Sequence, residues 1–143
     1  MDVNTLSAVD AAYLAGLVDG EGTITLSRKH KNENRQLALS ISNTERQLLE
    51  FTLRAVGAGK ITRKRTAASH HTASFTYSIY NRQALALIRQ LTPYLRSYKV
   101  KRAELILQNY LALTPRNGKY SGTLKQRRRE FEQAVLAIKA GCD

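Results

Sequence analysis

The chain has no tryptophan, one methionine, one cysteine and two prolines in 143 residues. The lone cysteine, Cys142, can close no internal disulfide, so the fold must rest on its own core and a reducing compartment is expected. No apolar run approaches the ~20 residues that a membrane span needs. The opening MDVNTLSAVD lacks the basic-then-apolar build of a secretory leader. The expectation is an intracellular protein of the cytoplasm or an organelle or nucleoid, neither secreted nor membrane-bound. Acid is the scarce charge, with 11 Asp and Glu against 23 Lys and Arg and a net charge of +12. Between Phe51 and Arg129 the single acid is Glu104, against 17 of the 23 basic residues. Such a field favours polyanions, nucleic acid first; a ribosome-associated or merely basic protein is the plain alternative.

What is present fits one globular domain over 1–143, with 43% apolar and 24% charged residues. Leu6 to Asp19 sets Ala8, Ala11, Ala12, Ala15 and Gly16 among Leu14, Leu17 and Val18, which predicts a helix with a close-packing face of small residues. The period then changes to two. Ile24 and Leu26 alternate with Thr23, Thr25 and Ser27; Leu37, Leu39 and Ile41 with Gln36, Ala38, Ser40 and Ser42; Phe75, Tyr77 and Ile79 with Ser74, Thr76 and Ser78. Each run predicts a strand with one buried and one wet face. Lys60 to Arg65 is a weaker fourth strand around Ile61. Lys29–Arg35 and Thr66–Thr72 fall at hairpin tips. Ser42-x-x-Glu45 suggests a capping box for a helix through Val56, ended by Gly57 and Gly59. Asn81 is placed to cap a helix over Arg82–Leu91. Val100–Leu113 and Thr123 or Leu124 to Ala140 complete the helices. The order αββαββα, with helices on one face of an antiparallel sheet, predicts an α+β fold with the other face open.

That open face carries short hydrogen-bonding side chains and lysine. A twisted antiparallel ribbon can enter a DNA major groove, and a strand of about nine residues spans about 30 Å, or roughly nine base pairs. Against the basic background stands LAGLVDGEG, residues 14–22, which holds Asp19 and Glu21 and three of the chain's eight glycines. If the small face of its helix met the same helix of a second copy, two helix ends would sit beside a dyad, each delivering a carboxylate. Paired carboxylates repel unless a cation joins them. Hard oxygen ligands suit Mg²⁺, which also binds phosphates and serves phosphodiester displacement.

LAGLVDGEG resembles the signature of the LAGLIDADG homing endonucleases. It keeps Leu14, Ala15, Gly16, Leu17, Asp19 and Gly22, with Val18 for Ile and Glu21 for the second Asp. The likeness extends over about residues 6–113, through the strand pairs, Gly57-Ala58-Gly59-Lys60-Ile61, and Leu91-Thr-Pro-Tyr-Leu-Arg followed by Lys99-x-Lys101. It implies a saddle-shaped four-stranded antiparallel sheet and a single-motif homodimer whose interface includes Ala12, Ala15, Gly16 and Asp19. It implies Mg²⁺-dependent double-strand cleavage of duplex DNA at the centre of a pseudo-palindromic site, with Mn²⁺ as a substitute, in an intron-encoded or intein-borne enzyme. Glu21 matches the metal-binding carboxylate and the Gly20 carbonyl a second metal ligand. Asp19 is expected to finish the helix. Asn43 falls where such dimers carry a water-ordering polar residue, or is a helix-cap residue. Lys99 falls near the family's active-site lysine, with Lys101 as the alternative.

The expected DNA contacts are the wet-face residues Thr25, Ser27, Lys29, Gln36, Ser40, Ser42, Thr62, Lys64, Thr76 and Ser78. Arg28, Lys31, Arg35, Arg63 and Arg65, near the tips, are expected to grip phosphates or bases. His30, His70 and His71 lack zinc-ligand spacing. The basic cluster Lys125 and Arg127–Arg129 reads either as a phosphate contact or as a solvated face. A DNA-binding relative that has lost cleavage, an RNA maturase and a basic structural protein are the competing functions. Glu in place of Asp at position 21 keeps the first open, and RNA on the Arg127 cluster would mark the second.

Overall fold

The computed structural model describes residues 2–64 and 72–141, with the side chain of Lys64 excepted. Its order is α1 (Ala8–Glu21), β1 (Gly22–Ser27), β2 (Gln36–Asn43), α2 (Arg46–Val56), β3 (Lys60–Lys64), β4 (Ser74–Tyr80), α3 (Asn81–Leu91), a 3-10 turn (Thr92–Tyr94), α4 (Lys99–Asn109) and α5 (Gly122–Ala137). The expected αββαββα order is therefore present, followed by two further helices. The four strands form one antiparallel sheet in the order β1-β2-β4-β3. Among the described residues no helix is long and apolar enough to cross a membrane.

The two-residue period decides the layers. Ile24, Leu26, Leu37, Leu39, Ile41, Tyr77 and Ile79 all point to one side and are buried. Against them pack Leu14, Ala15 and Val18 of α1, Leu49 and Val56 of α2, Ala84, Leu87, Ile88 and Leu91 of α3, Ala103 and Ile106 of α4, and Phe131 and Val135 of α5, in one contiguous core. Full burial of each large aliphatic side chain contributes about 1.5–3 kcal/mol.

Several local expectations change. The glycine-rich end of the motif stays helical: Ser7 caps α1, its Oγ accepting from the Asp10 amide at 3.1 Å, and the helix runs to Glu21. Gly22 can take over as a strand residue there because it has no side chain. A Cβ on it would lie 2.8 Å from Val18 Cα and 3.1 Å from the Ser40 carbonyl. The Ser42–Glu45 capping box does not form. Ser42 is still in β2, its hydroxyl 2.8 Å from that of Thr76, and Glu45 is the residue before α2 with no side-chain cap bond. Gly57 ends α2 at φ 76°, as its left-handed cap position requires. Asn81 does not cap α3 from outside. It begins the helix at φ 55°, and its side chain bonds Gln36 at 3.3 Å and Tyr110 at 3.3 Å. Residues 66–71 of the expected tip over Thr66–Thr72, and the contact Arg65, lie outside the described residues.

Candidate active site and nucleic-acid interface

The end of α1 meets the start of α4, and each helix supplies the charge that the other lacks. A helix C-terminus is a negative dipole end and favours cations, while an N-terminus favours anions. The last turn of α1 carries no basic residue and holds Asp19 and Glu21 instead. α4 opens with Lys99 and has no acid in its first turn. The structure cross-pairs them. Asp19 accepts from the Arg96 amide at 2.8 Å, the Ser97 amide at 3.0 Å and the Ser97 hydroxyl at 2.5 Å. Lys99 Nζ donates to the carbonyls of Val18 at 2.8 Å and Asp19 at 2.9 Å.

Burial pushes the Asp19 carboxyl up, but the Ser97 and Arg96 donors and nearby Lys99 outweigh it and hold it below the usual carboxylate range. Burial depresses the Lys99 ammonium, opposed by Asp19, reinforced by Arg102 and opposed again by Glu21. Glu21 thus acts on Lys99 electrostatically while remaining exposed. Between the two lysines weighed from sequence, Lys99 is the one at the motif, only 7% exposed, while Lys101 faces solvent. Asn43 closes β2 two residues past Ile41, the partner of Gly22, and so lies at the same end of the sheet as Glu21. Its Oδ1 accepts from the Glu45 amide at 2.8 Å, a turn-forming bond.

The outward face of α1 differs from the expectation. Ala12, Gly16 and Gly20 are exposed there, joined by Val9 at 78% and Tyr13 at 46% exposure. Ala15 is fully buried in the chain's own core and Asp19 is turned to α4, so neither lines that face. Val9 and Tyr13 were missed in the sequence because only small residues were counted. Their positions, three and four residues from Ala12, Gly16 and each other, carry the signal.

The wet sheet face is a grid. Its rows pair Ser27 with Gln36, Thr25 with Ala38 and Tyr80, Thr23 with Ser40, Ser78 and Lys60, and Ser42 with Thr76 and Thr62. The predicted set Thr25, Ser27, Gln36, Ser40, Ser42, Thr62, Thr76 and Ser78 therefore shares one face, with Ser78 buried in it. Thr23, Lys60, Ser74 and Tyr80 belong to it as well, on the same parity. Lys64 ends β3 opposite Ser74. Arg63 falls on the other parity, opposite Phe75, and is exposed. Arg28, Lys29 and Lys31 are exposed on the arm between β1 and β2.

Two basic expectations are corrected. Arg35 is half-buried, its Nε 4.0 Å from Glu132 and its Nη1 3.5 Å from the Leu26 carbonyl, so it belongs to the helix side of the arm. Arg128 is neither a solvated residue nor a surface contact, being 2% exposed and bonded to Glu132 at 3.0 Å. Its neighbours Arg127 and Arg129 are exposed.

Residues 8–92 match the family model described as a LAGLIDADG-like domain. No curated protein sequence matches the chain significantly. Among solved structures, the homing endonuclease I-CvuI in complex with its target aligns with a TM-score of 0.75 at 19% identity, over 95% of this chain and 85% of that one. An archaeal intron-encoded homing endonuclease, I-Vdi141I, complexed with DNA, gives 0.61 at 16% identity over 94% and 87%. The LAGLIDADG meganuclease I-AabMI, bound to uncleaved DNA, gives 0.61 at 22% identity, over 93% of this chain and 46% of that one. The architecture is the LAGLIDADG fold, and the chain belongs to the LAGLIDADG-like family.

Proposed function

We propose that the protein is a site-specific DNA endonuclease that works as a homodimer inside the cell. The observation that carries this reading is the pairing of an exposed Glu21, at the tip of α1, with an exposed small-residue face on that same helix. Two copies joined through Val9, Ala12, Tyr13 and Gly16 would bring two Glu21 carboxylates together inside two basic, hydrogen-bonding sheet faces. The similar structures I-CvuI and I-Vdi141I are DNA complexes, which supports duplex DNA as the ligand.

The donor set fits a divalent metal shared between copies. Among the described residues no three His, Cys, Asp or Glu side chains gather in one chain. One copy offers the Glu21 carboxylate and the neighbouring Gly20 carbonyl, hard oxygens suited to Mg²⁺ or Mn²⁺ alongside phosphate oxygens. Such a cation, when bound, would neutralise phosphate charge and activate water. The chain's own residues do the rest. Asp19 and Lys99 lock the helix end, which fixes where Gly20 and Glu21 point. Lys99 keeps a cation beside the reacting phosphate, where developing negative charge needs one. Thr, Ser and Gln on the grid present donors and acceptors to base edges. The site would be pseudo-palindromic and roughly twenty base pairs long, twice the span of one sheet.

Selection from a randomised duplex library in Ca²⁺, then transfer to Mg²⁺, tests the proposal. Recovery of one long pseudo-palindrome cut near its dyad supports it. A selected site that stays intact in both Mg²⁺ and Mn²⁺ would assign a binding protein instead. The selected site matters, because I-CvuI holds the I-CreI target uncleaved in 2 mM Mg.

A further inference from the structure

The arm of residues 28–35 leaves the sheet at its last rung, Ser27 opposite Gln36. Arg28 to Asn34 are exposed, and β1 is an edge strand. A loop so placed should wander, yet both backbone polar groups of Arg35 are held from outside the sheet. The Arg35 amide donates to Glu132 Oε2 at 3.1 Å, and the Arg35 carbonyl accepts from Arg128 Nη2 at 2.7 Å. Both holders are on α5, one turn apart, and are bonded to each other at 3.0 Å. Arg128 is itself immobilised. Its Nη1 donates to the Leu113 carbonyl at 3.2 Å and to Thr114 Oγ1. Its guanidinium lies 5.3 Å from the Tyr110 ring centre and 5.6 Å from that of Phe131. An ion pair this buried adds little net stability over an apolar pair, so geometry is its better explanation.

The setting gives that geometry a task. Beside the brace, the arm and α5 part around a cleft of about 390 Å³ lined by Arg28, Lys31 and Glu33 on one wall and Lys125, Arg129 and Glu132 on the other. Each wall keeps a net positive charge, which pushes the arm away from α5. Resting on the endonuclease reading, we propose that Arg128 and Glu132 are positioning residues that hold the arm in register for reading the outer base pairs of each half-site. β1 carries the arm about 20 Å from Gly22, roughly six base pairs from the dyad. The matched segment ends at residue 92, so α5 is an addition to the part of the chain that the family model covers.

The test compares wild type, Arg128→Lys, and the apolar pair Arg128→Met with Glu132→Leu, chosen to keep the core filled while removing the grip. Amide hydrogen exchange on the free protein reads the brace. Binding in Ca²⁺ to the selected duplex and its single-base-pair variants reads the consequence. Expected are at least tenfold faster exchange at Arg35 with core amides unchanged, and a fall in discrimination at the outer positions from about tenfold to near onefold. Inner positions, and the cutting rate of bound duplex in Mg²⁺, should stay as in wild type. A uniform loss across all positions, or a profile superimposable on wild type, overturns the inference while leaving the endonuclease reading intact. Failure of the wild type to select any duplex sinks both.

Discussion

Replacing Gly16 by Ala separates what α1 needs within one chain from what it needs in a pair. Gly16 sits in the middle of a 14-residue helix, where Gly is about 1 kcal/mol worse than Ala. Among the described residues nothing explains the glycine. A Cβ placed there meets no atom within 4 Å, and the residue is exposed. In an isolated chain Gly16→Ala should therefore stabilise by about 1 kcal/mol, raising Tm by roughly 3 °C in a domain of this size. In a dimer joined through this face the sign reverses. Two methyl groups enter a contact shaped for none, and overpacking of that kind costs about 1–3 kcal/mol. The dimer dissociation constant should rise by about tenfold or more. The assay is a pair of measurements, thermal melts at concentrations where the protein is monomeric and sedimentation over a dilution series. A monomer that gains nothing would refute the account of the helix. A dimer of unchanged affinity would refute the interface, whatever happens to Tm.

Glu21→Gln should keep DNA binding and abolish cutting, because it removes the anionic ligand and preserves shape; cleavage at the wild-type rate in a gel assay would remove Glu21 from the site. Lys99→Met should destabilise by about 1–3 kcal/mol in denaturant melts, since the Val18 and Asp19 carbonyls lose a buried donor, and should also suppress cleavage. Lys101→Ala, at an exposed position, should stay within about 0.5 kcal/mol of wild type. Asp19 has its pKa lowered in the fold, so its contribution is full above the ordinary carboxylate range and is lost as pH falls through the folded value. Asp19→Asn should therefore lower stability near neutrality and flatten its decline below about pH 4 in acid titrations of unfolding. Gly22→Ala should destabilise by about 1–3 kcal/mol through the contact with Val18 and Ser40, with a steeper loss for larger residues.

Strand runs and their faces were legible because a period of two is a local signal; the row that aligns Thr23, Ser40, Ser78 and Lys60 is set by strand pairing and came only with the structure. The motif helix was legible, but its end was not. Gly20 and Gly22 read as an exit, whereas the helix persists because Lys99, some eighty residues away, holds its last carbonyls. Ala15 and Gly16 look alike to a count of small residues. Only the packing shows that one fills the core and the other faces out. Arg128 was the deepest miss. A run of three arginines reads as one charged patch, but on a helix successive residues point about 100° apart, so the middle one can be buried while its neighbours stay wet.

The two carboxylates of the motif are two residues apart and do opposite things, and the reason lies in helix geometry. At about 100° per residue, positions 19 and 21 point roughly 160° away from each other. A single helix end can therefore anchor and display at once. Asp19 faces α4 and spends its charge on three donors, holding the helix end in place. Glu21 faces out, and no hydrogen bond or ion pair among the described residues is formed by its carboxylate. A shift of the sequence by one residue would turn both side chains by about 100° and spoil both directions. That is why the spacing of the acids, more than their number, is the informative part of LAGLVDGEG, and why Glu serves at 21 where a side chain only has to reach outward, whereas the three short donor contacts at 19 fit the shorter Asp.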